Sequence, residues 1–243
     1  MDAHSIHSPF FFDFYEKVIR NKNHLPGFPD LEAVRERLLQ STMEIDQVDL
    51  GAPSKHFTGS KRALSKIARV SASPVDQCEL LYRMVQYLQA TSIVELGTSV
   101  GITTLYLARD PQVRVTTFEG NRDLITVAQT HFDYFQSRNI QLIEGNLDST
   151  LSKFLQQPTK IHFALMDANH RQEPTVRYFH LLAKRMAEKG VIVIDDIYYS
   201  EEMERAWKIL KVHELVYASV DLYRCGILFF DPALNRQHYI WSV

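Results

Sequence analysis

Ser92-Ile93-Val94-Glu95-Leu96-Gly97-Thr98-Ser99-Val100-Gly101-Ile102-Thr103 joins a short apolar run, a loop with two glycines and the opening of a helix. A strand that passes through a glycine loop into a helix is the first half of a βαβ unit. The same grammar continues downstream. Apolar runs at 113–118, 140–143, 161–166 and 191–194 predict further strands, mostly apolar throughout, as a sheet covered on both faces requires. Between them, Asn121 is a predicted N-cap before Ile125, Ala128, Phe132 and Phe135. Val176, Phe179, Ala183 and Met186 form a second helical stripe, with Gly190 as the residue that ends it. Ser200, followed by Glu201 and Glu202, opens a helix whose buried face is Met203, Ala206, Trp207 and Leu210. Two last strands, 215–222 and 225–230, are separated only by Tyr223-Arg224, too short for a parallel crossover, so they form an antiparallel hairpin at a sheet edge. The expected fold is α/β: a doubly wound, seven-stranded mixed sheet.

Upstream, residues 1–90 read as helical, with no strand. Helices are expected at 9–19, 31–39 and 75–88, the last burying Cys78, Leu81, Met84, Val85 and Leu88. The aromatic cluster from Phe10 to Tyr15 reads as core. Residues 51–75 hold Lys55, Lys61, Arg62, Lys66 and Arg69 without one acid, a stretch that is either a solvated face or a lid meeting an acidic substrate. The expected division is an N-terminal helical segment and candidate lid over 1–74 and a cofactor-binding domain over 75–243.

The chain has 243 residues, 45% hydrophobic and 23% charged, the balance of a soluble globular domain. No apolar run approaches the roughly 20 residues that span a bilayer. Asp2 and His4 stand where a signal peptide would be basic, and Cys78 and Cys225 have no spacing for zinc or redox chemistry. A cytoplasmic protein with two core thiols is expected. A net charge of −2 gives no general attraction to nucleic acid, and no Asn-Pro-Pro-aromatic signature occurs. The expected partner is a small-molecule acceptor rather than nucleic acid or membrane, and a homodimer stays open.

In an open α/β sheet, ligands bind beyond the carboxyl ends of the strands. Beyond the first strand lies the glycine loop, which can present backbone N–H groups to a polar ligand. At the end of the second stands Glu119, placed to accept the two hydroxyls of a ribose. A dinucleotide fingerprint has three glycines, G-x-G-x-x-G, and admits a pyrophosphate. Here the pattern is E-x-G-x-x-x-G, and Glu95 would repel a pyrophosphate but attract a cation. S-adenosylmethionine (SAM) meets these conditions: its sulfonium and ammonium are positive, it has a ribose and it lacks phosphate. An NAD(P)-dependent oxidoreductase is the alternative enzyme, and a SAM-binding regulatory protein without catalysis is the non-enzymatic one.

Glu95-Leu96-Gly97-Thr98-Ser99-Val100-Gly101 resembles motif I of the class I SAM-dependent methyltransferases. Ile143-Glu144-Gly145-Asn146-Leu147-Asp148, Leu165-Met166-Asp167-Ala168-Asn169-His170 and Val193-Ile194-Asp195-Asp196 resemble the catechol and caffeoyl-CoA O-methyltransferase branch. The resemblance covers roughly residues 75–230 and implies a SAM-dependent O-methyltransferase. It implies that Glu95, Gly97, Thr98, Ser99, Gly101 and Thr103 surround the methionine part of SAM, and that Glu119 and Gly120 hold the ribose. Asn146 and Asp148 would meet the adenine, and Asp167 would belong to the cofactor site. Asp167, Asp195 and Asp196 fall on the branch's magnesium ligands, making Mg²⁺ a candidate second cofactor. His170 falls on its catalytic lysine, and with Asp195 forms the expected catalytic pair. Two departures stand out: the third metal position, usually Asn, is Asp196, and the lysine is His170.

Overall fold

The structure is a computed structural model that describes residues 8–21, 28–46 and 61–242. Lys55 and the glycines at 51 and 59 lie outside the described residues. The chain starts with α1 (Pro9–Phe14), continued by a π-helical turn over Tyr15–Ile19, and α2 (Pro29–Leu39). Then come β1 (Glu44–Asp46), β2 (Lys61–Ala63), α3 (Leu64–Ser71) and α4 (Val75–Tyr87). The alternating part runs β3 (Ser92–Leu96), α5 (Ile102–Leu107), β4 (Arg114–Glu119), α6 (Arg122–Tyr134), β5 (Ile140–Glu144), α7 (Leu147–Phe154) and β6 (Ile161–Met166). It continues with α8 (Gln172–Ala183), β7 (Met186–Ile194) and α9 (Glu201–Leu210), and ends in β8 (Ala218–Asp221), β9 (Gly226–Phe229) and β10 (Gln237–Ile240).

The main sheet has the order β10-β8-β9-β7-β6-β3-β4-β5. From β5 to β7 the strands are parallel; β9 runs antiparallel to both β7 and β8, the expected hairpin. All seven expected strands are present. An eighth, β10, extends the edge parallel to β8. Its Gln-His-Tyr-Ile sequence buries only Tyr239, so it lacks the apolar run that marks the others.

Successive strand residues divide between two cores, the period-two consequence of a sheet covered on both faces. Ile93, Phe163, Leu165, Val191 and Val193 join α4 and the aromatic start of the chain. Val94, Leu96, Ala164, Met166, Ile192 and Ile194 join the core under α7, α8 and α9. Phe11 and Phe14 pack edge-on against Phe229, so the Phe10–Tyr15 cluster is core as expected. A third core ties α2 and α3 to α5 and α6 through Leu31, Val34, Leu64, Ala68, Tyr106 and Phe132.

Caps set the helix starts. Asn121 accepts from the N–H groups of Asp123 and Leu124, and Ser200 from that of Met203; such caps are worth about 1 kcal/mol each. The buried face of α9 is Met203, Ala206, Trp207 and Leu210, as expected.

Three expectations need correction. The first 90 residues are not strand-free: β1 and β2 pair antiparallel, each three residues long, too short to carry a pattern. The basic stretch also contains an unexpected helix, α3. Gly190 does not end α8, which stops at Ala183; Met186 and Gly190 belong to β7. A Cβ on Gly190 would stand 3.0 Å from the carbonyls of Ala187 and Ile161, where the β6–β7 register is irregular.

Candidate active site

β3 pairs with β4 on one side and β6 on the other, although β6 follows β5 in sequence. That reversal opens a crevice beyond the carboxyl ends of β3 and β6. A cavity of about 550 Å³ lies there. Its walls include Gly97, Ser99, Glu119, Gly120, Asn146, Asp167, His170, Asp195 and Asp196, so nine expected site residues converge. Four lining residues that are not glycine, Ser99, Asn169, His170 and Asp196, have φ values of 49°, 71°, 36° and 53°. Left-handed backbone in non-glycine residues costs free energy, and it clusters at sites where geometry is imposed for a purpose.

At the first end, the glycine loop is tied to the tip of β4. Gly97 and Thr98 donate their N–H groups to the Phe118 carbonyl, both at 3.1 Å, and Gly101 donates to the Thr98 carbonyl. Ser99 donates to Oε2 of Glu119 at 2.9 Å, while Gly120 and Asn121 donate to its Oε1. The expectation that these loop amides face a ligand is therefore corrected: four of them are already satisfied within the protein. A pyrophosphate would find a carboxylate here instead of free N–H groups.

Five expected residues do not line the cavity. Glu95 is fully buried behind the loop, accepting the hydroxyls of Thr104 and Thr117 at 2.5 and 2.6 Å on one oxygen. Burial pushes its carboxyl up to about 8, against the pull of those two hydroxyls, and the nearby Asp167 and Glu119 push it further. Thr98 is bonded to Thr117, and Thr103 lies in α5 with its hydroxyl 3.9 Å from the Cys78 sulfur. Gly101, with φ +81°, packs against Phe132. Asp148 is turned to Tyr178 at 2.6 Å and Arg177 at 2.9 Å; the Tyr178 hydrogen bond, more than the Arg177 charge, lowers its pKa.

The second end gathers charge. Burial and the neighbouring Asp196 push Asp167 up to about 7; burial and Asp167 do the same for Asp195. His170 Nε2 stands 3.5 Å from Asp167 Oδ1, and its ring tilts against Tyr199 with centroids 5.6 Å apart. Three buried atoms on this rim have no partner: Asn169 Oδ1, His170 Nδ1 and Asp195 Oδ1. Of the two tyrosines after Asp196, Tyr199 lines the cavity, while Tyr198 turns away to bond Asp221 at 2.6 Å.

Sequence reasoning missed several walls. Ile67, Val70 and Ser71 of α3 line one side, beside Arg62 of the basic stretch that the sequence offered as a candidate lid, and the Ser71 hydroxyl lies 2.7 Å from that of Ser99. Arg224, in the β8–β9 turn, places Nη2 3.6 Å from Asp195 Oδ2. Burial pulls its guanidinium down, yet Asp195, Asp196 and Asp167 outweigh that and hold its proton more tightly than usual.

Among the described residues, no three His, Cys, Asp or Glu side chains are arranged to hold a metal ion. Arg224 instead brings a permanent positive charge to the trio Asp167, Asp195 and Asp196: it stands 3.6 Å from Asp195 Oδ2 and is held by the charges of Asp196 and Asp167 as well. The donor set as placed does not fit Mg²⁺.

Residues 94–197 match the protein family described as methyltransferase domain. This stretch is a methyltransferase domain. It starts inside β3 and ends just after β7, so it contains the loop, Glu119, the aspartates and His170. No curated protein matches the chain. Among solved structures, the SAH-bound methyltransferase of Podospora anserina aligns with 93% of this chain and 97% of its own, at 14% identity and a TM-score of 0.64. The O-methyltransferase of Bacillus cereus in complex with SAH aligns with 82% and 98%, at 19% identity and a TM-score of 0.56. The O-methyltransferase TomG of Streptomyces achromogenes, in complex with SAM, aligns with 66% and 82%, at 19% identity and a TM-score of 0.59. At such identities the likeness is one of fold, and the methyltransferase domain here has that fold. Among the described residues, no helix is long and apolar enough to cross a membrane.

Proposed function

We propose that the protein transfers the methyl group of SAM to a hydroxyl oxygen of a small molecule. The observation that carries this reading is the junction of Ser99, Glu119 and the glycine loop, in which amides that could bind phosphate are already bonded and a carboxylate faces the cavity. A ribose hydroxyl pair donates to a carboxylate, at about 1.5–3 kcal/mol per charged hydrogen bond. A pyrophosphate would be repelled, which disfavours the NAD(P) reading.

The far end supplies the rest. Binding holds the acceptor oxygen in line with the S–CH₃ bond, an effect that can contribute roughly 7–11 kcal/mol. The O–CH₃ bond forms as the C–S bond breaks, and the sulfur keeps the electron pair as SAH leaves. The hydroxyl proton passes to the imidazole of His170, whose Nδ1 has no partner and whose Nε2 lies 3.5 Å from Asp167 Oδ1. A free imidazole is a weaker base than a phenolate, so proton loss accompanies methyl arrival rather than preceding it. Asp195 Oδ1, buried and unpartnered, is the alternative acceptor for that proton. Arg62 of β2 and Ile67, Val70 and Ser71 of α3, which line the cavity, support the reading of this part of the N-terminal segment as a lid over the site.

Calorimetry decides the cofactor. SAH should titrate with a stoichiometry of one per chain, and NADH should give no heat. SAH formation from SAM over a panel of phenols and catechols then identifies the acceptor. Binding of NADH with no response to SAH would overturn the assignment; SAH binding with no acceptor turned over would favour the regulatory alternative.

A further inference from the structure

Arg224 lines the cavity beside the aspartates, yet it lies outside the motifs and outside the matched residues 94–197. The fold holds it firmly. Because β9 runs antiparallel to β7, with Ile194 opposite Gly226, the turn before β9 arrives beside the carboxyl end of β7. The Arg224 carbonyl accepts the Ile197 N–H at 3.2 Å, fastening the turn to the loop that carries Asp195 and Asp196. Asp221, nearly buried, adds a second fastening: it accepts from Tyr198, Trp207 and the Tyr223 N–H at 2.6, 3.1 and 2.8 Å. Tyr198 belongs to the β7 loop and Tyr223 to the turn, so one carboxylate clamps the two together.

The side chain so placed stands beside Asp195 and within reach of the charges of Asp196 and Asp167. Its contact with Asp195 Oδ2 uses little of a guanidinium that carries five N–H donors, and the side chain is 42% exposed where it lines the cavity. A positive charge beside the acceptor hydroxyl favours its ionised form and lowers its pKa, which eases the loss of the proton as the methyl group arrives. We infer that Arg224 is the resident cation of this site, neutralising Asp167, Asp195 and Asp196 and meeting the acceptor oxygen, so that methyl transfer proceeds without a divalent metal. The inference rests on the methyl-transfer reading above. Atoms balance as written there; Arg224 keeps all its protons and holds the oxygen as the methyl group reaches it.

The test uses Mn²⁺ as the probe, followed by its electron paramagnetic resonance signal, with the full chain saturated with SAH. The wild-type protein should leave the Mn²⁺ signal at its buffer intensity. Arg224→Met, which removes the charge and keeps the length, should expose the carboxylates and take up one Mn²⁺ per chain, at least tenfold more tightly than wild type. Arg224→Lys, which keeps the charge, should behave like wild type and separates the effect of charge from that of packing. Wild type that has been stripped with EDTA should keep its full rate with any acceptor the panel identifies, while Arg224→Met should lose at least tenfold in kcat.

Stoichiometric Mn²⁺ uptake by wild type, abolished in Asp195→Asn, would overturn the inference. So would a folded Arg224→Met that takes up no Mn²⁺ and keeps full turnover. Thermal melts and SAH titrations of every variant show whether it is folded. Failure of all forms to bind SAH would instead sink the methyl-transfer reading, so the two failures are distinguishable.

Discussion

The Cβ that Gly97 lacks would stand 2.3 Å from the backbone carbonyl oxygen of Asp167. This is where β3 and β6, neighbours in the sheet but far apart in sequence, release their loops into the cavity. The approach is so close that the two backbones could not both keep their places if position 97 carried a side chain, and φ at Gly97 is +101°, a value that L side chains rarely adopt. Gly97→Ala should therefore cost about 2–4 kcal/mol, combining overpacking against backbone with left-handed strain. Thermal melts should fall by roughly 5–15 °C, and SAH binding should weaken with them as Asp167 is displaced. An unchanged melting temperature would mean that the loops do not meet as described.

Glu119 uses both carboxylate oxygens to receive backbone N–H groups, Ser99 on one and Gly120 and Asn121 on the other. Glu119→Gln keeps the shape but must set an amide NH₂ against at least one of those donors, and it removes the charge that a ribose hydroxyl pair would meet. SAH affinity should drop about 10- to 100-fold, or roughly 1.4–2.7 kcal/mol. Calorimetry reads this directly. A change below about threefold would take Glu119 out of the cofactor site.

How much of this was legible follows from what each residue's neighbours are. The strands at 161–166 and 92–96 were readable to the residue because both faces of the sheet are covered, leaving apolar runs bounded by polar ones. β1, β2 and β10 were not, since three or four residues at an edge need bury only one or two side chains. Glu119 was read from its place at a strand end, where ligands bind, and Asp167 and Asp195 from the family resemblance. Glu95 was assigned to the ligand, yet strand alternation puts it on the same face as Ile93, under α5. In the sequence Arg224 is only one of the two residues that separate the last two expected strands. Only the pairing of β9 with β7 brings that turn to the aspartates, and a partner strand is a tertiary fact that local pattern does not carry.

The burial of Glu95 makes stability depend on pH in a defined direction. Its carboxyl is raised to about 8 in the folded chain from an ordinary value of 4.5, so between those limits the folded state holds the extra proton. Its contribution is fully present below about pH 4.5 and is lost as pH rises through 8. Glu95→Gln, uncharged at every pH, should give a flatter melting profile than wild type from about pH 5 to 8, with the relative gain largest at the alkaline end. Comparing the two proteins removes groups that titrate in both. Parallel profiles would show that Glu95 is ionised in the folded protein throughout.

His170 lines the cavity, with Nε2 3.5 Å from Asp167 Oδ1 and with Nδ1 buried and without a partner. If it receives the acceptor's proton, removing its basicity should leave cofactor binding alone and slow the chemical step. Asn tolerates the left-handed backbone that position 170 adopts, at φ +36°, better than most residues, so His170→Asn separates proton transfer from loop strain. The SAH dissociation constant should stay within about threefold. Turnover with the acceptor found in the panel should fall about 10²- to 10⁴-fold, the usual contribution of a positioned base. Raising the pH should recover part of the loss when solvent hydroxide takes the proton. Turnover equal to that of wild type would leave His170 only the task of packing against Tyr199, and the proton would have to leave by Asp195.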